Sequence, residues 1–111
     1  MRFRLFRSVL IVCTTVALAT LAGFTPAFAK DVTVTISNFA FAPEAITIAV
    51  GGRVTFVNGD DTIHSVVADD GSFHSDGLDT DDKFAMTFTK PGKIAYHCGL
   101  HPFMKGEIIV Q

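Results

Sequence analysis

Cysteine is nearly absent: the 111 residues carry two, Cys13 and Cys98, and Cys13 falls in a segment that reads as a leader. A single cysteine in an oxidising compartment forms no internal disulfide, so its thiol needs a metal bond or a reactive site as its reason. Basic residues are few as well. Three of the nine Lys and Arg, namely Arg2, Arg4 and Arg7, belong to the same leader, leaving six against eleven Asp and Glu, a balance of −5 with neutral histidine. That excludes the basic footprint of a nucleic-acid-binding domain. No stretch has helical periodicity, no segment repeats, and there are no tracts of methionine or histidine.

The leader is expected over residues 1–29. A basic start is followed by the charge-free apolar run Val9 to Ala22, and Ala27-Phe28-Ala29 puts small residues at the minus-three and minus-one positions of a cut before Lys30. An uncleaved anchor is the alternative, since no charge lies between Arg7 and Lys30 and about 20 apolar residues span a bilayer. The expected product is one domain, residues 30–111, exported to a periplasm or an outer surface. It would be monomeric, with no stable membrane association after cleavage. A domain of this size has one core and gains stability from any metal that prefers its folded state.

What is present is alternation of period two. Val32, Val34 and Ile36 alternate with Thr33 and Thr35, and Ile46, Ile48 and Val50 with Thr47 and Ala49; the period continues in Val54 with Phe56, in Phe84, Met86 and Phe88, in Ile94, Tyr96 and Cys98, and in Ile108 with Val110. Turn residues separate the runs at Ala42-Pro43-Glu44, Gly51-Gly52, Asn58 to Asp61, Lys90-Pro91-Gly92 and Gly99 to Lys105. About seven short strands without a helix predict an all-β, two-sheet β-sandwich. Asp69 to Asp82, with six aspartates in fourteen residues, reads as a solvated loop; an acidic docking surface for a cationic partner is the sharper alternative.

The chemistry lies near the C-terminus, in Tyr96-His97-Cys98-Gly99-Leu100-His101-Pro102-Phe103-Met104. A thiolate, an imidazole and a thioether at spacing Cys-x2-His-x2-Met sit on one tight loop that can aim all three at a point. Two His and one Cys in a plane with a weak axial Met is the blue-copper donor set. His64, on an expected short strand Ile63 to Val67, is the natural second histidine. Strand parity puts Cys98 on the inward face with Ile94 and Tyr96, and His97 on the outward face. Met86 reads as core packing, and His74 as a solvent-exposed residue of the acidic loop. The expected metal site is therefore His64, Cys98, His101 and Met104, holding one copper ion.

Those residues resemble a known family. Tyr96-His97-Cys98-x-x-His101-Pro102-Phe103-Met104-Lys105-Gly106, with Phe39 to Pro43, Gly51-Gly52, Val54 to Asn58 and Phe88 to Gly92, is similar to the cupredoxins of the amicyanin and plastocyanin group. The resemblance implies a Greek-key β-sandwich with a type 1 copper ion at one end, the same four ligands, and single-electron transfer through the exposed edge of His101. It further implies redox partners docking near Leu100, Pro102 and Phe103. Ser65 and Gly99 stand where the group often has Asn and Thr, so the side-chain tie between the two ligand loops is expected to be weak or missing. A copper storage or delivery protein is the alternative function. An enzyme is disfavoured, because four protein donors leave no open position for substrate.

Overall fold

The computed structural model describes residues 28–111. The expected leader, apart from Phe28 and Ala29, lies outside the described residues. Seven strands and no helix make up the described chain: β1 (Ala29–Ser37), β2 (Ala40–Ala42), β3 (Ala45–Asn58), β4 (Val67–Ala68), β5 (Lys83–Phe88), β6 (Gly92–His97) and β7 (Lys105–Val110). No helix among the described residues is long and apolar enough to cross a membrane.

Gly51-Gly52, expected as a turn, lies inside a strand of 14 residues. Gly51 has φ +85°, which only glycine adopts without strain, and a side chain at Gly52 would come within 2.8 Å of the Ala49 carbonyl oxygen. The pair bends β3 without ending it, and the bend changes the strand's neighbours. Before it, Ala45 to Ile48 run parallel to β7. After it, Gly52 to Val57 pair antiparallel with β5, while Arg53 to Asn58 run parallel to β1. One half of β3 thus belongs to β2-β1-β3-β5 and the other to β3-β7-β6-β4, and hydrogen bonds join all seven strands through it. That is the expected all-β sandwich, with one long strand crossing between its layers.

Period-two alternation survives the bend. Ile46, Ile48, Val54 and Phe56 point inward and meet Val34, Ile36, Phe41, Tyr96, Ile108 and Val110 from both layers. Phe41, Phe56 and Tyr96 pack edge to face with ring centroids 4.8 to 6.3 Å apart, the arrangement aromatic quadrupoles prefer. Met86 packs against this core, as expected.

The segment around His64 is less regular than the strand expected there. Only Val67 and Ala68 form a strand, paired with β6, and His64 makes an isolated bridge to Leu78. The partner is the acidic segment itself. His64 and Leu78 exchange both backbone hydrogen bonds at 3.1 and 2.7 Å, the Ser75 N–H donates to the Val66 carbonyl at 2.8 Å, and the Ala68 N–H donates to that of Phe73 at 3.0 Å. All six aspartates are exposed, yet Phe73, Ser75 and Leu78 are buried. The acidic segment is solvated on its outside and forms the backing of the His64 segment on its inside.

Candidate metal centre

The chain leaves β6 at His97 and places Cys98 inward, as parity requires. The Cys98 N–H donates to the Met104 carbonyl at 3.0 Å and the Met104 N–H to that of His101 at 2.9 Å, so the loop closes on itself before β7 begins. Cys98 and Met104 are buried; His101 is half-buried and Leu100, Pro102 and Phe103 are exposed. His97 points outward, and its Nδ1 lies 2.6 Å from Asp69 Oδ1. His74 is exposed, as expected.

The two loops are tied after all. The Gly99 N–H donates to Ser65 Oγ at 2.9 Å, and the Ser65 N–H donates to Cys98 Sγ at 3.4 Å. A glycine at 99 supplies its backbone donor and leaves room for the hydroxyl; a Cβ there would stand 2.8 Å from Ser65 Oγ. The tie between two side chains is missing, as expected, and a bond from a backbone N–H to one side chain joins the loops in its place.

His64 Nδ1 is 3.2 Å from His101 Nδ1, and Cys98 Sγ is 3.7 Å from each of them. The point equidistant from these three atoms lies about 2.1 Å from each, close to the ~2.0–2.3 Å that imidazole and thiolate bonds to a metal span in zinc sites. Among the described residues this trio forms the one cluster of His, Cys, Asp or Glu able to hold a metal ion. Two imidazoles and a thiolate in a triangle match the trigonal part of a blue-copper site and suit both copper oxidation states, and Met104 lies buried on the same loop.

Two residues at the centre escaped the sequence reading. Asp60 Oδ2 lies 2.9 Å from His64 Nε2, and the same carboxylate accepts the backbone N–H groups of Asn38 at 2.7 Å and Phe39 at 2.9 Å. The Phe39 N–H does most to hold the Asp60 carboxyl below its ordinary value; partial burial opposes it, and the His64 ring and the Asn38 N–H add to the lowering. Phe39 sets its ring edge to face with both His64 and His101, each at 5.1 Å. The only sequence signal for Asp60 was a carboxylate four residues before a candidate ligand.

Comparison with known proteins places this geometry. The Cupredoxin-like domain family matches residues 8–110. Amicyanin of Paracoccus versutus is 32% identical over 88 residues, which are 75% of this chain and 67% of that protein, so the chain spans about two thirds of that relative's length. Among solved structures, a purple cupredoxin from Nitrosopumilus maritimus superposes with a TM-score of 0.68 at 28% identity, covering 73% of this chain and 100% of the other. A Cu-containing nitrite reductase from Thermus scotoductus superposes with a TM-score of 0.69 at 36% identity, covering 73% of this chain but 22% of the enzyme. The fold therefore also occurs inside enzymes. With the strand order, the His-Cys-His triangle at one end of the sandwich and the family match in agreement, the chain belongs to the cupredoxins, as a type 1 copper protein of the amicyanin and plastocyanin kind.

Proposed function

We propose that the protein is an exported blue-copper electron carrier in which His64, Cys98, His101 and Met104 hold one copper ion. The observation that carries this reading is the triangle of His64 Nδ1, His101 Nδ1 and Cys98 Sγ, whose sides of 3.2, 3.7 and 3.7 Å leave room for one metal ion bonded to all three. Copper bound there would supply one-electron exchange between Cu(I) and Cu(II). The chain supplies the rest. Burial of Cys98 and Met104 excludes water from the sulfur donors, the Ser65 N–H stabilises charge on the thiolate, and the two tied loops resist rearrangement between oxidation states.

His101 is the half-exposed member of the set and therefore the natural exit for the electron. Around it Leu100 and Phe103 are 53% and 70% exposed, Pro102 is exposed, and Phe39 and Ile63 extend the apolar surface. A small apolar patch suits the brief encounters of redox partners. We place the protein outside the cytoplasm after removal of residues 1–29, with residues 30–111 as the working domain and no catalytic role of its own. His97 is bonded to Asp69 and His74 lies in the acidic segment, and neither is part of the His64–Cys98–His101 cluster.

The test is to titrate the metal-free protein with Cu(II) while recording its visible and electron paramagnetic resonance spectra. An intense thiolate-to-copper charge-transfer band with narrow hyperfine splitting at one equivalent, abolished by Cys98→Ser, is expected. A pale product without that band would refute the ligand set. Rapid loss of Cu(I) to a chelator, with slow electron exchange, would favour copper delivery instead.

A further inference from the structure

We propose that Asp60 is the positioning residue of this centre, one carboxylate that fixes the His64 ring from behind and holds the Phe39 ring against both histidines. The proposal rests on the reading that His64 and His101 face a metal. An ionised carboxylate only accepts hydrogen bonds. Asp60 Oδ2, 2.9 Å from His64 Nε2, therefore requires the proton on that nitrogen. In the neutral imidazole Nδ1 is then left with its lone pair turned to the His64–Cys98–His101 triangle.

The same carboxylate shapes the cover of the site. Asn38 and Phe39 both adopt left-handed backbone conformations, φ +53° and +56°, a region that asparagine tolerates and phenylalanine avoids. What holds two such residues in succession is visible: their N–H groups both donate to Asp60, 22 and 21 positions away in sequence. That turn delivers the Phe39 ring to within 5.1 Å of the His64 and His101 rings at interplanar angles of 88° and 87°. His64 is fully buried and has Asp60 behind it. His101 has no carboxylate partner among the described residues, and its ring is flanked by Phe39 and, at 6.0 Å, by Phe103. Asp60 thus acts on one histidine directly and on the other through Phe39.

The test compares the wild-type protein with Asp60→Ala and the near-isosteric Asp60→Asn, first without metal. In the wild type, nitrogen NMR should show the His64 proton on Nε2 in slow exchange with water, and proton NMR should show Phe39 in contact with both histidine rings. Asp60→Ala should lose the slow Nε2 proton and the Phe39–His101 contact. Copper held against a chelator should weaken by about 10–100-fold, the usual effect of removing the partner of a metal-bound histidine. Asp60→Asn, which keeps one acceptor oxygen, should retain part of each signal, and it decides alone if the alanine variant fails to fold. Wild-type tautomer, ring contacts and copper retention in the folded variants would overturn the proposal. A wild type that shows the His64 tautomer but never develops the thiolate band would instead refute the blue-copper function and leave the Asp60 assignment standing.

Discussion

The tie between the ligand loops makes a double-mutant prediction. Ser65→Ala removes the acceptor of the Gly99 N–H, a 2.9 Å hydrogen bond worth about 1 kcal/mol net. Gly99→Ala attacks the same bond from the other side. Its Cβ would stand 2.8 Å from Ser65 Oγ and 3.2 Å from Val67 Cγ2, so the hydroxyl must rotate away and the bond is lost, with some overpacking added; we expect ~1–2 kcal/mol. Gly99 is not among the glycines with positive φ, so alanine brings no backbone strain and a small gain from a stiffer unfolded chain. In the double variant the bond is lost once, not twice, and the nearer clash is gone. The double mutant should therefore be more stable than the sum of the singles predicts by about 1 kcal/mol, which for a domain of this size is roughly 4–8 °C in Tm. Urea unfolding of the metal-free, reduced protein reads the four stabilities without copper linkage. Additivity within about 0.4 kcal/mol would refute the shared bond.

Tyr96 is fully buried and its hydroxyl has no hydrogen-bond partner; burial first, and the charge of Glu44 second, push its ionisation far up. The folded state thus keeps the phenol proton where the unfolded chain loses it, so stability should fall as pH rises above about 10. Tyr96→Phe should flatten that alkaline limb as measured by unfolding, at little cost near neutrality; a loss above ~2 kcal/mol at pH 7 would show that the hydroxyl is bonded after all. Asn58, also fully buried, donates to the carbonyls of Thr62 and Leu78 and accepts from the Asp60 N–H, so Asn58→Ala should cost about 2–4 kcal/mol by denaturant unfolding and weaken copper retention with it. Less than ~1 kcal/mol would mean water replaces those bonds. Leu100→Glu or Phe103→Glu should leave stability within about 0.5 kcal/mol yet slow bimolecular electron transfer to a partner protein, and an unchanged rate in stopped-flow kinetics would remove the patch from the docking surface.

The centre was legible where its parts are close in sequence or locked to a strand's period. Cys98, His101 and Met104 share one loop, and the parity that buries Ile94 and Tyr96 also buries Cys98; the same rule sends His97 outward to Asp69. Illegible were the parts made by backbone groups. Gly51-Gly52 looks the same whether a chain turns back or bends between layers, and only the neighbours of β3 distinguish the two. The Ser65 tie was invisible to a reading that looked for a side chain at 99, because its donor is the Gly99 N–H. Asp60 was masked for the same reason: two of its three partners are backbone N–H groups of the left-handed turn between β1 and β2, distant in sequence but on the neighbouring strand. The acidic segment shows how far such hidden bonding reaches. Its charges mark it as solvated, yet between them Phe73, Ser75 and Leu78 alternate at spacings of two and three residues, bury themselves, and carry backbone bonds to Ala68, Val66 and His64 in turn. Adding charge at those three positions should therefore displace His64, whereas neutralising the exposed aspartates around them should leave the metal triangle intact.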